Sequence, residues 1–337
     1  MLTRRGFNTA LLTLPALGMA GRTAFAESDV TIRVATWGSP THINIAEFVP
    51  PLEAYLKEKT GGRISVRHFP SGQLAQDSDM AVAIPTGRVQ VGWTTLALWS
   101  GIVPDAGIGS APTGLTMAQF QKAIAGPNGI KAVLDKEFQA VNAKLFAVTD
   151  LGPVAIVSNK KVMTPEDLQG VRIRVFSEGS AALFSALGAA PLQIPFADVY
   201  TALQRGTIDA ALVGFQGVQS QRLYEICKYL LIPASFVGTG LQGYAGNLQW
   251  WMSLSEADRA IISDGMEVAE AHCNKAIVED RSKLADFYRE KGMTVSSLQD
   301  GTPEHRAWAT ATAPLMAEAE KKFSKAILAP VLQQMQG

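Results

Sequence analysis

Histidine and cysteine are the residues most often used as catalytic bases, nucleophiles and metal ligands, and they are scarce in this 337-residue chain. A metal site needs several such residues at short, regular spacings. The four histidines lack that spacing, since they are His42, His68, His272 and His305. His42 follows the first predicted strand and is the one histidine placed to face a ligand, with a solvated loop residue as the alternative. We predict no metal site.

The glycine patterns do not indicate a nucleotide cofactor or a hydrolase. The chain has no Gly-x-Ser-x-Gly elbow and no Gly-x-x-x-x-Gly-Lys-Ser/Thr phosphate loop. Gly107 and Gly109 lie in a loop rich in glycine and proline, without the helix start that a dinucleotide site needs. We therefore predict no cofactor and no enzymatic activity. A secreted enzyme on an α/β scaffold is the less favoured alternative.

The two cysteines, Cys227 and Cys273, each lie in an apolar helical context. Buried reduced cysteine is a common core residue, and we expect that state here. An oxidising compartment would also permit a disulfide between them.

Two arginines are the strongest candidates for ligand chemistry. Arg172 and Arg174 lie in a predicted strand, residues 171–176, where alternate side chains share one face. A guanidinium group can hold a carboxylate through two parallel, charge-assisted hydrogen bonds. The alternative is a surface strand arginine in a weak ion pair.

The elements that would position these side chains repeat a strand–helix–strand order. One series runs from a strand at residues 31–37 to a strand at 88–93, and a second from residues 171–176 to 208–213. This order predicts parallel α/β sheets in two lobes built on one plan. Ligands bind beyond the carboxyl ends of such strands. The expected site therefore includes residues 37–42 and 93–95.

A long helix is predicted to join the two lobes. Ser255 and Asp258 approximate a capping box, and Gly292 is a natural stop. A helix from Ser255 to Lys291 would be roughly 55 Å long at 1.5 Å per residue, which exceeds the diameter of one domain. We expect it to brace both lobes.

The first 26 residues have the features of an export signal. Arg4 and Arg5 precede an apolar run at residues 10–20, and Ala24-Phe25-Ala26 fits a cleavage site. The run is too short to span a membrane. The paired arginines resemble a twin-arginine signal, while an ordinary Sec signal or an uncleaved anchor are alternatives. We predict a periplasmic protein.

Without residues 1–26 the chain has 27 basic and 30 acidic residues, a net charge of about −3. This balance does not favour binding to nucleic acid or to an anionic membrane. About 310 residues predict two domains. We expect a signal peptide at 1–26, a first lobe formed by 27–151 plus 239–278, and a second lobe formed by 152–238 plus 279–337.

Four segments together resemble the DctP-type substrate-binding subunits of tripartite ATP-independent periplasmic (TRAP) transporters. The segments are KTGGRI with FPSGQL (59–74), TPEDLQGVRIRV (164–175), LGAAP with VYTALQRG (187–206) and YEICKYL (224–230). The resemblance implies a two-lobed, type II-like periplasmic binding protein fold with crossing strands and a long bracing helix. It implies a small organic acid bound between the lobes, which close by a hinge. It also implies a small and a large integral membrane subunit as partners.

The resemblance places the arginine that pairs with the ligand carboxylate at Arg174, with Arg172 less favoured. The chain departs from many members at Val154, where they have a second arginine, and at Val213, where they have an asparagine. A second ligand carboxylate would then find no partner and would be costly to bury. We expect a monocarboxylate with an apolar or aromatic body. A ligand-sensing receptor of the same fold is the alternative function.

The remaining candidate ligand contacts follow from placement near the expected site. Apolar walls are expected from Trp37, Phe196 and Phe215, and hydrogen bonds to a hydroxyl or keto oxygen from Gln76, Thr95 and Gln216.

Overall fold

The computed structural model describes residues 29–150 and 153–335. The predicted signal peptide, residues 1–26, lies outside the described residues. The chain folds into two lobes, each built on its own β-sheet with helices packed against it. This confirms the predicted fold class.

The first sheet has five strands in the order β2-β1-β3-β10-β4. They are β1 (Val30–Thr36), β2 (Ile64–Phe69), β3 (Val91–Thr95), β4 (Ala143–Asp150) and β10 (Leu241–Asn247). Strand β1 pairs in parallel with β2 and β3, whereas β10 runs antiparallel to β3 and β4. The parallel strands direct their carboxyl ends, including Thr36 and Thr95, toward one edge of the sheet.

The helices that pack around the first sheet include six from residues 43–140 and 248–253. They are α1 (Ile43–Ala46), α2 (Val49–Thr60), α3 (Met80–Ala83), α4 (Met117–Ile124), α5 (Ile130–Ala140) and α9 (Leu248–Ser253). Helix α2 buries Leu52 and Leu56 in the core. It ends at Gly61, whose φ of 63° is the left-handed cap conformation that glycine adopts without a Cβ penalty.

The second sheet has six strands in the order β11-β9-β5-β8-β6-β7. They are β5 (Val154–Ser158), β6 (Arg172–Val175), β7 (Ala190–Gln193), β8 (Ala210–Gly214), β9 (Tyr229–Ile232) and β11 (Thr294–Ser297). Every residue of β5 is buried, as expected for a central strand covered on both faces. The accompanying helices are α6 (Glu178–Ala186), α7 (Val199–Gln204) and α8 (Phe215–Ser220).

The lobes are joined by crossing segments and by one long helix. The chain crosses from β4 to β5 and returns before β10. At the return, Gly238 has a φ of 85°, and a Cβ there would lie 2.6 Å from the carbonyl oxygen of Gly109. This crossing therefore requires glycine.

The long helix α10 (Glu256–Glu290) contacts α2 and β4 in the first lobe and α8 and β11 in the second. Ser255 caps it by accepting a hydrogen bond from the Asp258 amide at 3.1 Å. At the far end, Tyr288 Oη donates to the carbonyl oxygen of Phe215 at 2.6 Å. At 1.5 Å per residue, its 35 residues extend about 52 Å. The predicted bracing helix is thus confirmed.

The last two helices divide between the lobes. Helix α11 (Pro303–Glu320) buries Trp308 in the core of the second lobe. Helix α12 (Lys325–Met335) packs on α4 and α5 and adds Ile327 and Val331 to the core of the first lobe. The predicted division placed residues 279–337 in the second lobe. The apolar face of α12 places its residues in the first lobe instead.

No helix in residues 29–150 and 153–335 is long and apolar enough to cross a bilayer. The two cysteines are not bridged, because Cys227 lies in the core of the second lobe and Cys273 in that of the first. Both are buried, as the sequence predicts for core cysteines.

Candidate ligand-binding cleft

A cavity of about 450 Å³ lies between the two lobes, and a void of about 40 Å³ shares several of its lining residues. From these lining residues we define the first wall as six residues of the first lobe: Trp37, His42, Gln76, Asp77, Thr95 and Gln242. We define the second wall as four residues of the second lobe: Arg174, Phe176, Ile194 and Phe196. Both lobes therefore contribute to this site, which lies at the carboxyl ends of β1, β3 and β6 as the strand order predicts.

Arg174 is the cation of the second wall. It lies in β6 and is only 6% exposed. Its Nε donates to the carbonyl oxygen of Ile194 and its Nη1 to that of Leu212, both at 2.9 Å. Burial lowers the pKa of Arg174 to about 10, so the group stays charged at neutral pH. Because a guanidinium has five N–H donors, donors remain for a ligand.

Arg172 has a different environment on the same strand. It is exposed, and its Nε and Nη2 donate to the Asp209 carboxylate at 3.0 and 2.8 Å. That ion pair holds the pKa of Asp209 below its usual range, mainly through the hydrogen bond from Arg172. Arg172 is absent from the residues that line the cleft.

Asp77 is the anion of the first wall, and no sequence pattern predicted a ligand contact at this residue. It lies in a 3-10 turn, Asp77–Asp79, that leads into α3. Its Oδ1 accepts from the Thr95 amide at 2.9 Å and its Oδ2 from Thr95 Oγ1 at 2.5 Å. Burial raises the pKa of Asp77 to about 6, opposed by those bonds and by the charge of Arg174. An aspartate just before a short helix resembles a capping residue, so its sequence context gave no separate signal for a ligand contact.

The aromatic side chains of the two walls meet across the cleft. Trp37 stacks on the fully buried Trp93, with ring centroids 4.3 Å apart and planes inclined by 11°. Phe196 approaches Trp37 edge-on at 5.3 Å. A planar or apolar ligand body would be enclosed by these rings. Phe176 also lines the cavity and was not selected from the sequence.

His42 is buried rather than solvated. Its Nδ1 accepts from the Asn44 amide at 3.3 Å, which caps α1, and its ring faces the small void. Burial lowers the pKa of His42 to about 4, so the ring is neutral at physiological pH. Among the described residues its Nε2 has no hydrogen-bond partner. This atom is available to a ligand polar group.

The other predicted contacts separate into two groups. Gln76 lines the cavity and Thr95 lines the void, where Thr95 Oγ1 accepts from Gln242 Nε2 at 2.6 Å. The remaining four are not among the lining residues: Val154, Val213, Phe215 and Gln216.

The structure explains why these four do not line the cleft. Val154, Val213 and Phe215 belong to the apolar cores of the second lobe, because β5 and β8 are central strands whose side chains face packed helices. The amide of Gln216 is buried without a hydrogen-bond partner among the described residues. The two valines thus pack in the core where the resemblance predicted ligand contacts.

A larger groove of about 890 Å³ lies elsewhere, between α4, α5, β4 and α10. It belongs to the first lobe and α10, and its Lys131 ammonium is paired with the Glu270 carboxylate. We assign the site to the cleft, because the cleft is lined by both lobes and holds a buried arginine with unused donors. The described residues contain no group of histidine, cysteine and carboxylate side chains that could hold a metal ion.

The model of the bacterial extracellular solute-binding protein family 7, DctP, matches residues 34–322. The C4-dicarboxylate-binding periplasmic protein DctP of Rhodobacter capsulatus is 26% identical over 339 residues, covering 98% of each chain. An uncharacterized protein, y4mM of Sinorhizobium fredii, is 30% identical over 236 residues, which are 68% of this chain but only 42% of that protein. A TRAP periplasmic solute-binding protein of Shewanella oneidensis with bound succinate superposes with a TM-score of 0.83 at 20% identity, covering 91% of this chain and all of that one.

Proposed function

The chain belongs to family 7 of the bacterial extracellular solute-binding proteins, and we propose that it captures a small organic monocarboxylate in the periplasm and delivers it to a TRAP transporter. The similar DctP protein of Rhodobacter capsulatus is a C4-dicarboxylate-binding periplasmic protein. The ligand would bind between the lobes, in the cleft lined by the first and second walls. The small and large membrane subunits of a TRAP transporter would then receive it.

The observation that supports this proposal is the buried, unneutralised guanidinium group of Arg174. A buried guanidinium with no carboxylate within salt-bridge distance among the described residues is costly unless an anion joins it. The carbonyl oxygens of Ile194 and Leu212 fix its orientation without neutralising its charge. A ligand carboxylate would neutralise it through two parallel hydrogen bonds.

The charge of the cleft favours one carboxylate rather than two. Arg174 is the one cation among the lining residues, His42 is neutral, and Asp77 is an acid. A second ligand carboxylate would lack a partner in a desolvated site. The rings of Trp37 and Phe196 would instead enclose an apolar or aromatic body.

A thermal-shift screen of organic acids tests the proposal. The panel contains phenylacetate, mandelate, pyroglutamate, galactonate and succinate. A ligand that binds only the folded protein raises Tm. We expect at least one monocarboxylate to raise Tm more than succinate does. If no acid in the panel shifts Tm, the proposed function is wrong. If succinate binds most tightly, only the preference for a monocarboxylate is wrong.

Closure of the lobes is tested by small-angle scattering with the acid that binds most tightly. We expect a smaller radius of gyration in the complex, because the ligand bridges walls from different lobes. An unchanged radius at saturation would contradict closure around the ligand.

A further inference from the structure

The cleft contains one guanidinium group and one carboxylate, which lie on opposite walls without forming a salt bridge. Asp77 and Arg174 come from different lobes, yet both line the cavity and the smaller void. We propose that Asp77 takes up one proton when the cleft binds an organic anion, so that the ligand carboxylate and Asp77 share one negative charge opposite Arg174. This inference rests on the proposed function, since it concerns the same site.

The geometry places the ligand carboxylate close to Asp77. Arg174 and Asp77 line the same cavity and the same small void, and Nη2 of Arg174 takes no part in the bonds to Ile194 and Leu212. Thr95 fixes the Asp77 carboxylate through two hydrogen bonds, so it cannot rotate away without losing both. A ligand carboxylate on Arg174 would therefore create a pair of neighbouring anions with one cation. Two carboxylates that share a site do not both stay ionised, and one of them binds a proton.

No other group in the cleft can supply the missing positive charge. The ionisable groups that line the two cavities are Arg174, from β6, His42, from the loop after β1, and Asp77 itself. His42 is neutral above a pKa of about 4. On the turn of Asp77, Asp79 is exposed and its nearest cation, Arg88 Nη2, lies 3.9 Å from it. Because none of these groups can balance a second negative charge, a proton from solvent must do so.

The proton has a defined acceptor and a defined hydrogen-bond partner. The Asp77 carboxylate accepts one bond from Thr95 on each oxygen and a further side-chain bond from Thr94, and a carboxylate has about four lone pairs for such bonds. The solvent proton would occupy one of these lone pairs and donate to an oxygen of the ligand carboxylate. Asp77 is partly exposed and lines the cleft, so a ligand would also displace water from it. Burial already raises the pKa of Asp77 to about 6, and both effects of the ligand would raise it further.

Calorimetry of phenylacetate binding at several pH values tests the inference. If another monocarboxylate of the panel binds more tightly than phenylacetate, that acid is used instead. For the wild type we expect Kd to weaken about tenfold per pH unit between pH 6.5 and 8.0, since one proton is bound with the ligand. Titrations at pH 7.0 in phosphate and in Tris, which differ in ionisation enthalpy, should give an uptake near one proton.

Two variants make the result specific to Asp77. Asp77→Asn is nearly isosteric and cannot ionise, so its Kd should change less than twofold over the same pH range and be at least tenfold tighter than wild type at pH 8.0. Asp79→Asn removes the neighbouring exposed carboxylate and should keep the wild-type pH dependence.

The outcomes separate this inference from the proposed function. If the acid binds wild type with a pH-independent Kd and no proton uptake, the inference is wrong and the proposed function stands. If Asp77→Asn keeps the pH dependence, the proton has another acceptor and the inference is wrong. If Asp77→Asn is folded by its melting curve but fails to bind, the charge of Asp77 is needed for binding and the inference is wrong. If no acid of the panel binds, both are wrong.

Discussion

The two walls of the cleft differ in how they hold their polar groups. On the first wall, Asp77, Thr95 and Gln242 are linked by side-chain hydrogen bonds, and the anion has protein donors of its own. On the second wall, Arg174 bonds only to neutral backbone carbonyls. The Asp77 carboxylate thus has protein donors, whereas the Arg174 guanidinium has no carboxylate within salt-bridge distance among the described residues. The first wall also contains buried polar atoms without a hydrogen-bond partner among the described residues: Trp37 Nε1, His42 Nε2 and Gln242 Oε1. The difference indicates that the second wall supplies most of the attraction and the first wall most of the selectivity.

The largest expected effect comes from removing the charge of the second wall. Arg174→Ala would leave the ligand carboxylate desolvated and unpaired, at a cost of about 2–5 kcal/mol. This equals a loss of about 30- to 4000-fold in affinity for phenylacetate, measured by calorimetry. Arg174→Lys should recover only part of the loss, because an ammonium group cannot form two parallel hydrogen bonds in one plane.

Arg172→Ala is the matched control, since Arg172 lies two residues away on the same strand and is paired with Asp209. We expect its Kd to stay within threefold of wild type. If Arg174→Ala also binds within threefold while folded, the assignment of the second wall as the source of attraction is wrong.

The second prediction concerns acid sensitivity built into the first wall. Burial depresses the pKa of His42 from 6.5 in the unfolded chain to about 4 in the fold. The unfolded state then binds more protons between these values, so stability is present above pH 6.5 and is lost as the pH falls toward 4. When the pH is lowered from 7.0 to 5.0, protonation of His42 in the unfolded chain should reduce the free energy of unfolding by about 2 kcal/mol.

Urea unfolding of wild type and His42→Gln at both pH values measures this cost. The variant should lose about 2 kcal/mol less than wild type between pH 7.0 and 5.0, and Thr41→Ala, in the same loop, should behave as wild type. Equal losses in His42→Gln and wild type would show that this histidine is not held neutral by burial.

The smallest expected effect comes from the aromatic contact between the walls. Trp37→Ala and Phe196→Ala each remove one ring from the cleft and should weaken phenylacetate binding by about tenfold, about 1.4 kcal/mol. Acetate carries no ring, so its weaker binding should change less than threefold in either variant. A tenfold loss for acetate as well would indicate that the rings maintain the cleft and do not contact the ligand body.

Much of the fold could be predicted because its signals are local. The cap at Ser255 and the stop at Gly292 gave the long helix to within a residue at each end. At the start of the TPEDLQGVRIRV segment, Thr164 forms a capping box with Asp167, yet the helix it caps is only a 3-10 turn, Pro165–Leu168.

The candidate site was less predictable, because cleft lining depends on which face of a strand meets the other lobe. Arg172 and Arg174 have the same sequence pattern, yet Arg172 is exposed and paired with Asp209, whereas Arg174 is buried and lines the cleft. Val154 and Val213 stand where the resemblance expects polar groups, yet both face the core. Asp77 comes from a short turn that has no periodic pattern.

The position of β10 in the first sheet has a consequence for the order in which the protein can fold during synthesis. Strand β10 pairs with both β3 and β4, yet it is made only after β5 to β9 of the second lobe. A nascent chain that has produced only the first 150 residues therefore lacks the strand between β3 and β4. Such non-local pairing slows folding, because a long loop must close before the contacts form. Ribosome-bound chains ending before residue 241 should contain an incomplete first sheet. All five strands can pair only once β10 has emerged.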